Sequence, residues 1–204
     1  MRARNCLIRF SGRVHLQTAI TDFGLSCSSP STVKMKKIGI FWGSSSGNTE
    51  IAIDFMVEYL EAEGFEVDNF DVGEVDAEKI LEYDNLIISC PTWNIGELQD
   101  DWDSIFLKYK ELDFSEKIGA FFGCGDQVGY PDNFLDAVGI LAKPFMEKGG
   151  KLIGRCPRDE YDFRDSVALD NNELLGLGLD YDNEEDKCED QMVMWLEDIM
   201  EEFK

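Results

Sequence analysis

Strand-like runs alternate with longer stretches of helical spacing from residue 36 to the end of the chain. The strand-like runs are 37–42, 65–70, 85–90, 117–122 and 151–156. The helical stretches are 48–63, 77–81, 99–110, 133–148 and 186–203. Because buried strands that alternate with helices form a parallel sheet covered on both faces, the sequence predicts an α/β, doubly wound fold.

The loops that follow the strands are where a ligand site is expected, since ligands bind beyond the carboxyl ends of parallel strands. The first such loop is Gly43-Ser-Ser-Ser-Gly-Asn-Thr49, which has four hydroxyls and no Lys or Arg. Hydroxyls and backbone N–H groups at a helix N-terminus bind an anion without a formal positive charge. The loop lacks the lysine of a nucleotide P-loop and the Rossmann glycine pattern. It predicts a monophosphate site, and the alternative is a flexible Ser/Gly turn.

Two further loops each present an aromatic residue among turn-forming residues. Pro91-Thr-Trp-Asn-Ile-Gly96 contains Trp93, and the loop 123–133 contains Tyr130. A Trp buried in the core is the usual alternative, but a loop position beside an anion site favours stacking on a flat ring. A phosphate loop and two aromatic residues at one sheet edge predict a slot for an aromatic phosphomonoester.

The charge of the chain excludes several classes of function. The 204 residues include 19 Lys and Arg against 42 Asp and Glu, a net charge of −23. Such a surface repels nucleic acids and anionic lipid and attracts a basic partner protein, and no apolar run is long enough to span a bilayer. The single His15 and six scattered Cys argue against catalytic triads, metal sites and a disulfide scaffold. Cys90 and Cys124 are interpreted as small apolar fillers rather than redox partners.

Residues 1–34 differ in composition from the rest of the chain. They carry five basic residues and one acid, whereas residues 35–204 carry 14 basic and 41 acidic residues, a net charge of −27. An Arg- and Ser-rich, acid-poor N-terminus is typical of an organelle transit peptide. The alternative is that the start of the protein has been assigned too early, because Met35 lies directly before the first strand-like run, where a compact domain would begin. We predict a loosely ordered extension over 1–34 and one domain over 35–204.

Three separated motifs, in order, resemble those of flavodoxins. They are Gly-Ser-Ser-Ser-Gly-Asn-Thr49, Cys-Pro-Thr-Trp-Asn-Ile-Gly-Glu-Leu-Gln-Asp-Asp-Trp102 and Gly-Asp-Gln-Val-Gly-Tyr-Pro-Asp-Asn-Phe134. The resemblance covers residues 36–204 and is to the long-chain kind. It implies a five-stranded parallel sheet of order 2-1-3-4-5. The fifth strand is expected in two halves, 151–156 and 176–180, which are separated by an insertion over 157–175.

The resemblance to flavodoxins also implies a cofactor, FMN, and the residues that hold it. The phosphate would be held by Ser44, Ser45, Ser46, Gly47, Asn48 and Thr49. The ring would lie between Trp93 and Tyr130. Its edge would meet Thr92, Asn94, Gly125 and Asp126, and Ile95 and Gly96 belong to the same cofactor-binding set. In the family, the peptide that matches Asn94–Ile95 turns over on reduction. Asn133 would belong to the loop beside the ring, and Asp182 would contact the ribityl chain.

The resemblance implies an electron carrier rather than an enzyme. A flavin between aromatic faces in a domain of charge −27 is a poor place for an added negative charge, so the hydroquinone anion is destabilised. The flavin should therefore shuttle between semiquinone and hydroquinone at low potential. Implied partners are basic redox proteins, namely a flavodoxin or ferredoxin reductase and low-potential acceptors, met by a monomer in the cytoplasm. The plastid stroma is the alternative compartment if residues 1–34 are a transit peptide.

Two other functions stay open at this point. One is an FMN-dependent NAD(P)H quinone or nitro reductase on the same fold, although no segment offers an obvious nicotinamide site. The other is a doubly wound signalling receiver, but the first strand ends in Ser and Gly rather than in paired Asp residues.

Overall fold

The protein is described by a computed structural model over residues 36–204, and the predictions on residues 1–34 lie outside this range. A parallel sheet forms its centre. Its strands are β1 (Lys37–Trp42), β2 (Glu66–Asp71), β3 (Asn85–Ser89), β4 (Ile118–Cys124) and β5 (Lys151–Ile153). They lie in the order β2-β1-β3-β4-β5, which confirms the predicted topology. The order in which successive strands are added to the sheet reverses between β1 and β3. The loops that follow these two strands therefore lead to opposite faces of the sheet and leave a crevice between them.

The edge strand is divided in two, as predicted. After β5 the chain forms three two-residue strands, β6 (Cys156–Pro157), β7 (Leu169–Asp170) and β8 (Glu173–Leu174), which make a small antiparallel sheet of order β6-β8-β7. The chain then returns as β9 (Leu177–Leu179). β5 pairs with the first half of β4, and β9 pairs with the second half. The insertion is thus a folded unit attached to the edge of the main sheet.

Four helices cover the two faces of the sheet. They are α1 (Asn48–Ala62), α2 (Asp100–Tyr109), α3 (Asp136–Glu147) and α4 (Glu185–Glu202). The segment predicted as a short helix before β3 is a 3₁₀ helix, Ala77–Glu82. Helix α3 begins three residues later than the predicted 133, because Leu135 adopts a left-handed conformation with φ 59°. Residues 133–135 therefore belong to the loop beyond β4.

The core is continuous across both faces of the sheet. Every residue of β3 and β4 is buried, as expected for central parallel strands. Trp102 of α2 is fully buried, and its indole N–H donates to the carbonyl of Ser89 at 2.8 Å. This bond fixes the start of α2 against the carboxyl end of β3. Within residues 36–204, no helix combines the length and apolar character needed to cross a membrane.

Candidate functional site

A cleft with a volume of about 360 Å³ lies beyond the carboxyl ends of the central strands. The loops after β1, β3, β4 and β9 surround it. Its lining residues are Ser46, Asn48, Pro91, Thr92, Trp93, Asn94, Cys124, Gly125, Asp126, Tyr130, Asn133, Phe134 and Asp182. The volume is within the usual range for small-molecule sites, which is about 300–1,000 Å³. The three loops that the sequence singled out therefore meet at one crevice.

Ten of the sixteen predicted cofactor-binding residues line this cleft. The other six belong to the same two loops without lining it: Ser44, Ser45, Gly47, Thr49, Ile95 and Gly96. Three lining residues were not predicted. Pro91 is the first residue of the loop after β3, Cys124 is the last residue of β4, and Phe134 is a buried residue of the loop after β4.

The loop 43–49 presents unpaired backbone N–H groups at the start of α1. Gly47 is the N-cap residue and has a left-handed φ of 95°, and its N–H donates to the hydroxyl of Ser44 at 3.2 Å. Among the described residues, no acceptor lies within hydrogen-bond reach of the amides of Ser46, Asn48 and Thr49. These amides lie at the positive end of the helix dipole, which makes the loop an anion site.

Thr49 differs from its neighbours in this loop because its side chain is buried. The hydroxyl lies 3.8 Å from the sulfur of Cys124, to which it donates. Only the backbone N–H of Thr49 is therefore available to a ligand. The exposed hydroxyl groups of the loop are those of Ser45 and Ser46.

The second loop is a tight turn closed by two backbone hydrogen bonds. The N–H of Trp93 donates to the carbonyl of Glu97 at 2.9 Å, and the reverse bond measures 2.8 Å. Asn94 and Gly96 have left-handed φ values of 48° and 81°. The hydroxyl of Thr92 accepts the N–H of Ala137 at 3.2 Å, which attaches the turn to α3. The indole of Trp93, 37% exposed, is thus held beside the cleft by a fixed backbone.

The third loop is organised by the carboxylate of Asp126. One oxygen accepts hydrogen bonds from the N–H of Gly129 at 2.6 Å, the side chain of Asn183 at 2.8 Å and the N–H of Val128 at 3.0 Å. Partial burial acts to raise the pKa of Asp126, but these three bonds outweigh it and hold the pKa below its usual range. Tyr130, which follows directly, is 54% exposed at the mouth of the cleft.

The electrostatic character of the cleft is negative. Among the described residues, neither the cleft lining nor the loop 43–49 includes Lys or Arg, whereas Asp126 and Asp182 both line the cleft. The thiols beside it are uncharged, because burial raises the pKa of Cys90 and of Cys124 to about 12. Both cysteines are buried, which agrees with their interpretation as small fillers at the ends of strands.

Gln99 supports the loop 43–49, and the sequence pattern did not identify it. It is 3% exposed and is the N-cap of α2, where its carbonyl oxygen accepts the N–H groups of Asp101 at 3.1 Å and Trp102 at 3.3 Å. Its amide group donates to the carbonyl of Ser44 and the hydroxyl of Ser45, both at 3.4 Å. Glutamine is not a usual capping residue, so the pattern around it gave no signal.

Comparisons with known proteins agree with this geometry. The family model described as Flavodoxin matches residues 40–195. The flavodoxin of Nostoc sp. is 43% identical over 168 residues, which cover 82% of this chain and 98% of the relative. The flavodoxin of Synechocystis sp. is 42% identical over 165 residues, 81% of this chain and 96% of the relative.

Solved structures give the same result. The flavodoxin of Fusobacterium nucleatum bound to flavin mononucleotide superimposes with a TM-score of 0.78 at 28% identity, over 83% of this chain and all of the other. Oxidised flavodoxin 1 of Bacillus cereus has a TM-score of 0.61 at 25% identity, over 81% and 98% of the two chains. With the topology, the divided edge strand and the cleft, these matches show that the chain belongs to the flavodoxin family.

Proposed function

We propose that this chain binds FMN non-covalently in the cleft and acts as a low-potential one-electron carrier that cycles between semiquinone and hydroquinone. The proposal depends on one observation, the meeting of unpaired helix N-terminal amides, two exposed aromatic side chains and a lining without cations. FMN supplies the one-electron chemistry, while the protein supplies binding, orientation and electrostatics.

The phosphate end of FMN fits the loop 43–49. A phosphate needs several converging donors, and the amides of Ser46, Asn48 and Thr49 have no other acceptor among the described residues. The hydroxyls of Ser45 and Ser46 are exposed to add to them. Ser44 and Gly47 shape the loop through the bond between them.

The ring of FMN fits between Trp93 and Tyr130, since both carry large aromatic faces that are exposed beside the cleft. Stacked aromatic pairs gain about 0.5–1.5 kcal/mol beyond the area that they bury. The residues proposed for the edge of the ring are Thr92, Asn94, Ile95, Gly96, Gly125 and Asp126. Asn133 is proposed for the ring side of the third loop, and Asp182 for the ribityl chain.

The charges of the protein favour a carrier of low potential. Asp126 and Asp182 line the cleft without a cation among the described lining residues, so the gain of a further negative charge there is opposed. The same carboxylates steer basic redox partners, a flavodoxin or ferredoxin reductase and low-potential acceptors, into brief salt-sensitive encounters with the monomer.

Whether the protein is located in the cytoplasm or, alternatively, in the plastid stroma depends on residues 1–34. An import assay with and without these residues distinguishes the two locations.

A reductive titration of the purified protein, followed by absorbance, tests the proposal. A yellow protein that passes through a blue species near half reduction is expected. Direct passage from yellow to colourless contradicts one-electron cycling, and a colourless purified protein that takes up no FMN contradicts the cofactor. Stopped-flow mixing with NADPH tests the enzyme alternative, because rapid reduction without a separate reductase favours an NAD(P)H-dependent quinone or nitro reductase.

A further inference from the structure

A buried carboxylate, Asp136, lies at the first position of α3 behind the ring side of the cleft. It is 3% exposed. One of its oxygens accepts the side-chain amide of Asn133 at 2.8 Å, and the other accepts the N–H of Val167 at 2.6 Å. Asp136 does not line the cleft, but Asn133 does. The carboxylate therefore connects a cleft residue to the insertion that divides the edge strand.

The second cleft loop also lies against this carboxylate. Gly96 has a φ of 81°, and a Cβ atom built on it would lie 2.3 Å from the Oδ2 atom of Asp136 and 3.0 Å from the Nδ2 atom of Asn133. Only a residue without a side chain fits this contact. The turn 93–97, the loop before α3 and the insertion thus all meet at the carboxylate of Asp136.

The chemistry of this carboxylate decides which way the amide of Asn133 faces. Both oxygens of Asp136 accept hydrogen bonds, so the NH₂ group of Asn133 is the end that meets Asp136. The carbonyl oxygen of Asn133 is then the end left for the cleft. The edge of a ligand that meets Asn133 must accordingly present a hydrogen-bond donor.

We propose that Asp136 is a positioning residue that fixes the side-chain amide of Asn133 with its carbonyl oxygen toward the bound ligand. The inference rests on the proposed function, in which that ligand is FMN. The substitution Asp136→Asn leaves one carbonyl oxygen where the aspartate has two acceptor oxygens. When that oxygen keeps the N–H of Val167, the new NH₂ group faces Asn133, so the amide of Asn133 must reverse its orientation.

A double-mutant cycle on FMN affinity tests the proposal. In the full chain, Asp136→Asn is expected to raise the Kd for FMN about tenfold, the upper end of the effect of losing one hydrogen bond between neutral groups. In an Asn133→Ala background the same substitution is expected to change the Kd less than twofold. Equal effects of Asp136→Asn in both backgrounds, or no effect in either, would overturn the proposal. A wild-type chain that binds no FMN would instead contradict the proposed function.

Asp132→Asn is the matched control, since it removes the same charge four residues earlier at an exposed position that does not line the cleft. It is expected to leave the Kd within twofold of wild type, and a shift as large as that of Asp136→Asn overturns the proposal by assigning the effect to net charge. The midpoint potential of bound FMN is a second measurement. It should rise more for Asp136→Asn than for Asp132→Asn, and an equal rise in both also overturns the proposal.

NMR on the wild-type holoprotein keeps the test independent of whether Asp136→Asn folds. The side-chain amide protons of Asn133 should exchange slowly and show scalar coupling across a hydrogen bond to the carboxyl carbon of Asp136. Amide protons of Asn133 that instead contact the flavin ring overturn the proposal.

Discussion

The substitution Gln99→Ala tests whether one buried amide holds both the start of α2 and the phosphate loop. Gln99 caps α2 with its carbonyl oxygen and donates to the loop with its NH₂ group. A Cβ atom built on Gly43 would lie only 2.4 Å from the Oε1 atom of Gln99. The side chain of Gln99 therefore occupies space that is free only because residue 43 is a glycine. Alanine removes all of these contacts without introducing a clash.

The expected cost for the apoprotein is about 3 kcal/mol in the free energy of unfolding. Loss of a helix N-cap acceptor costs about 1 kcal/mol. The NH₂ group of Gln99 also donates to the carboxylate of Asp101 at 2.7 Å and makes two long bonds, 3.4 Å each, to Ser44 and Ser45, and together these add about 2 kcal/mol. FMN must then order a looser loop, and we expect its Kd to rise about tenfold.

Urea unfolding of the apoprotein by circular dichroism and an FMN titration by flavin fluorescence measure the two effects separately. Gln191→Ala is the matched control, because Gln191 is a partly buried glutamine of α4 whose carbonyl oxygen has no partner among the described residues. It should change neither quantity appreciably. An unchanged free energy of unfolding for Gln99→Ala would refute the cap, and an unchanged Kd would refute the support of the phosphate loop.

Three further predictions concern the edge strand, pH and the thiols. Gly176→Ala places a Cβ atom 2.1 Å from the carbonyl oxygen of Phe121 and should lower the free energy of unfolding by about 3 kcal/mol, whereas Gly64→Ala, with open space at φ 90°, should cost about 1 kcal/mol in urea unfolding. Because the pKa of Asp126 is lowered on folding, its carboxylate stabilises the protein at neutral pH. This contribution is lost as pH falls below about 4, so acid unfolding of Asp126→Asn should depend less on pH there. A thiol reagent at pH 8 should modify four cysteines only after unfolding, since burial raises the pKa of each: Cys90, Cys124, Cys156 and Cys188.

The parts of the fold that repeat along the sequence could be predicted from it. Each central strand is an apolar run with a glycine or polar stop, and each helix has a buried stripe, so the succession of strands and helices and their approximate bounds followed from local pattern. The order of the strands in the sheet came from the resemblance to flavodoxins. The loops 43–49, 91–96 and 123–133 could also be predicted as the site, because parallel topology brings the carboxyl ends of strands to one edge.

The supporting residues of the site could not be found in this way. Gln99 acts on Ser44, which lies 55 positions away. Asp136 joins its near neighbour Asn133 to Val167, which lies 31 positions away. Neither residue differs in type from the polar residues around it in the sequence. The insertion is a similar case, since strands of two residues have no periodicity from which a sheet can be predicted. What sequence pattern misses here is hydrogen bonding between segments that only the fold brings together.

The uncharged hydrogen-bond donors of the loop 43–49 link the affinity for FMN to the reduction potential of the bound flavin. A phosphate site with a lysine would bind FMN more strongly by Coulomb attraction, but the same cation would also stabilise a further negative charge on the ring. Unit charges 8 Å apart interact by about 2 kcal/mol at an effective dielectric constant of 20. Neither the described cleft lining nor the loop 43–49 contains such a cation, and Asp126 and Asp182 add negative charge. Under the proposed function, binding therefore comes from backbone amides and aromatic faces, which hold FMN without stabilising the last electron, as a carrier of low potential requires.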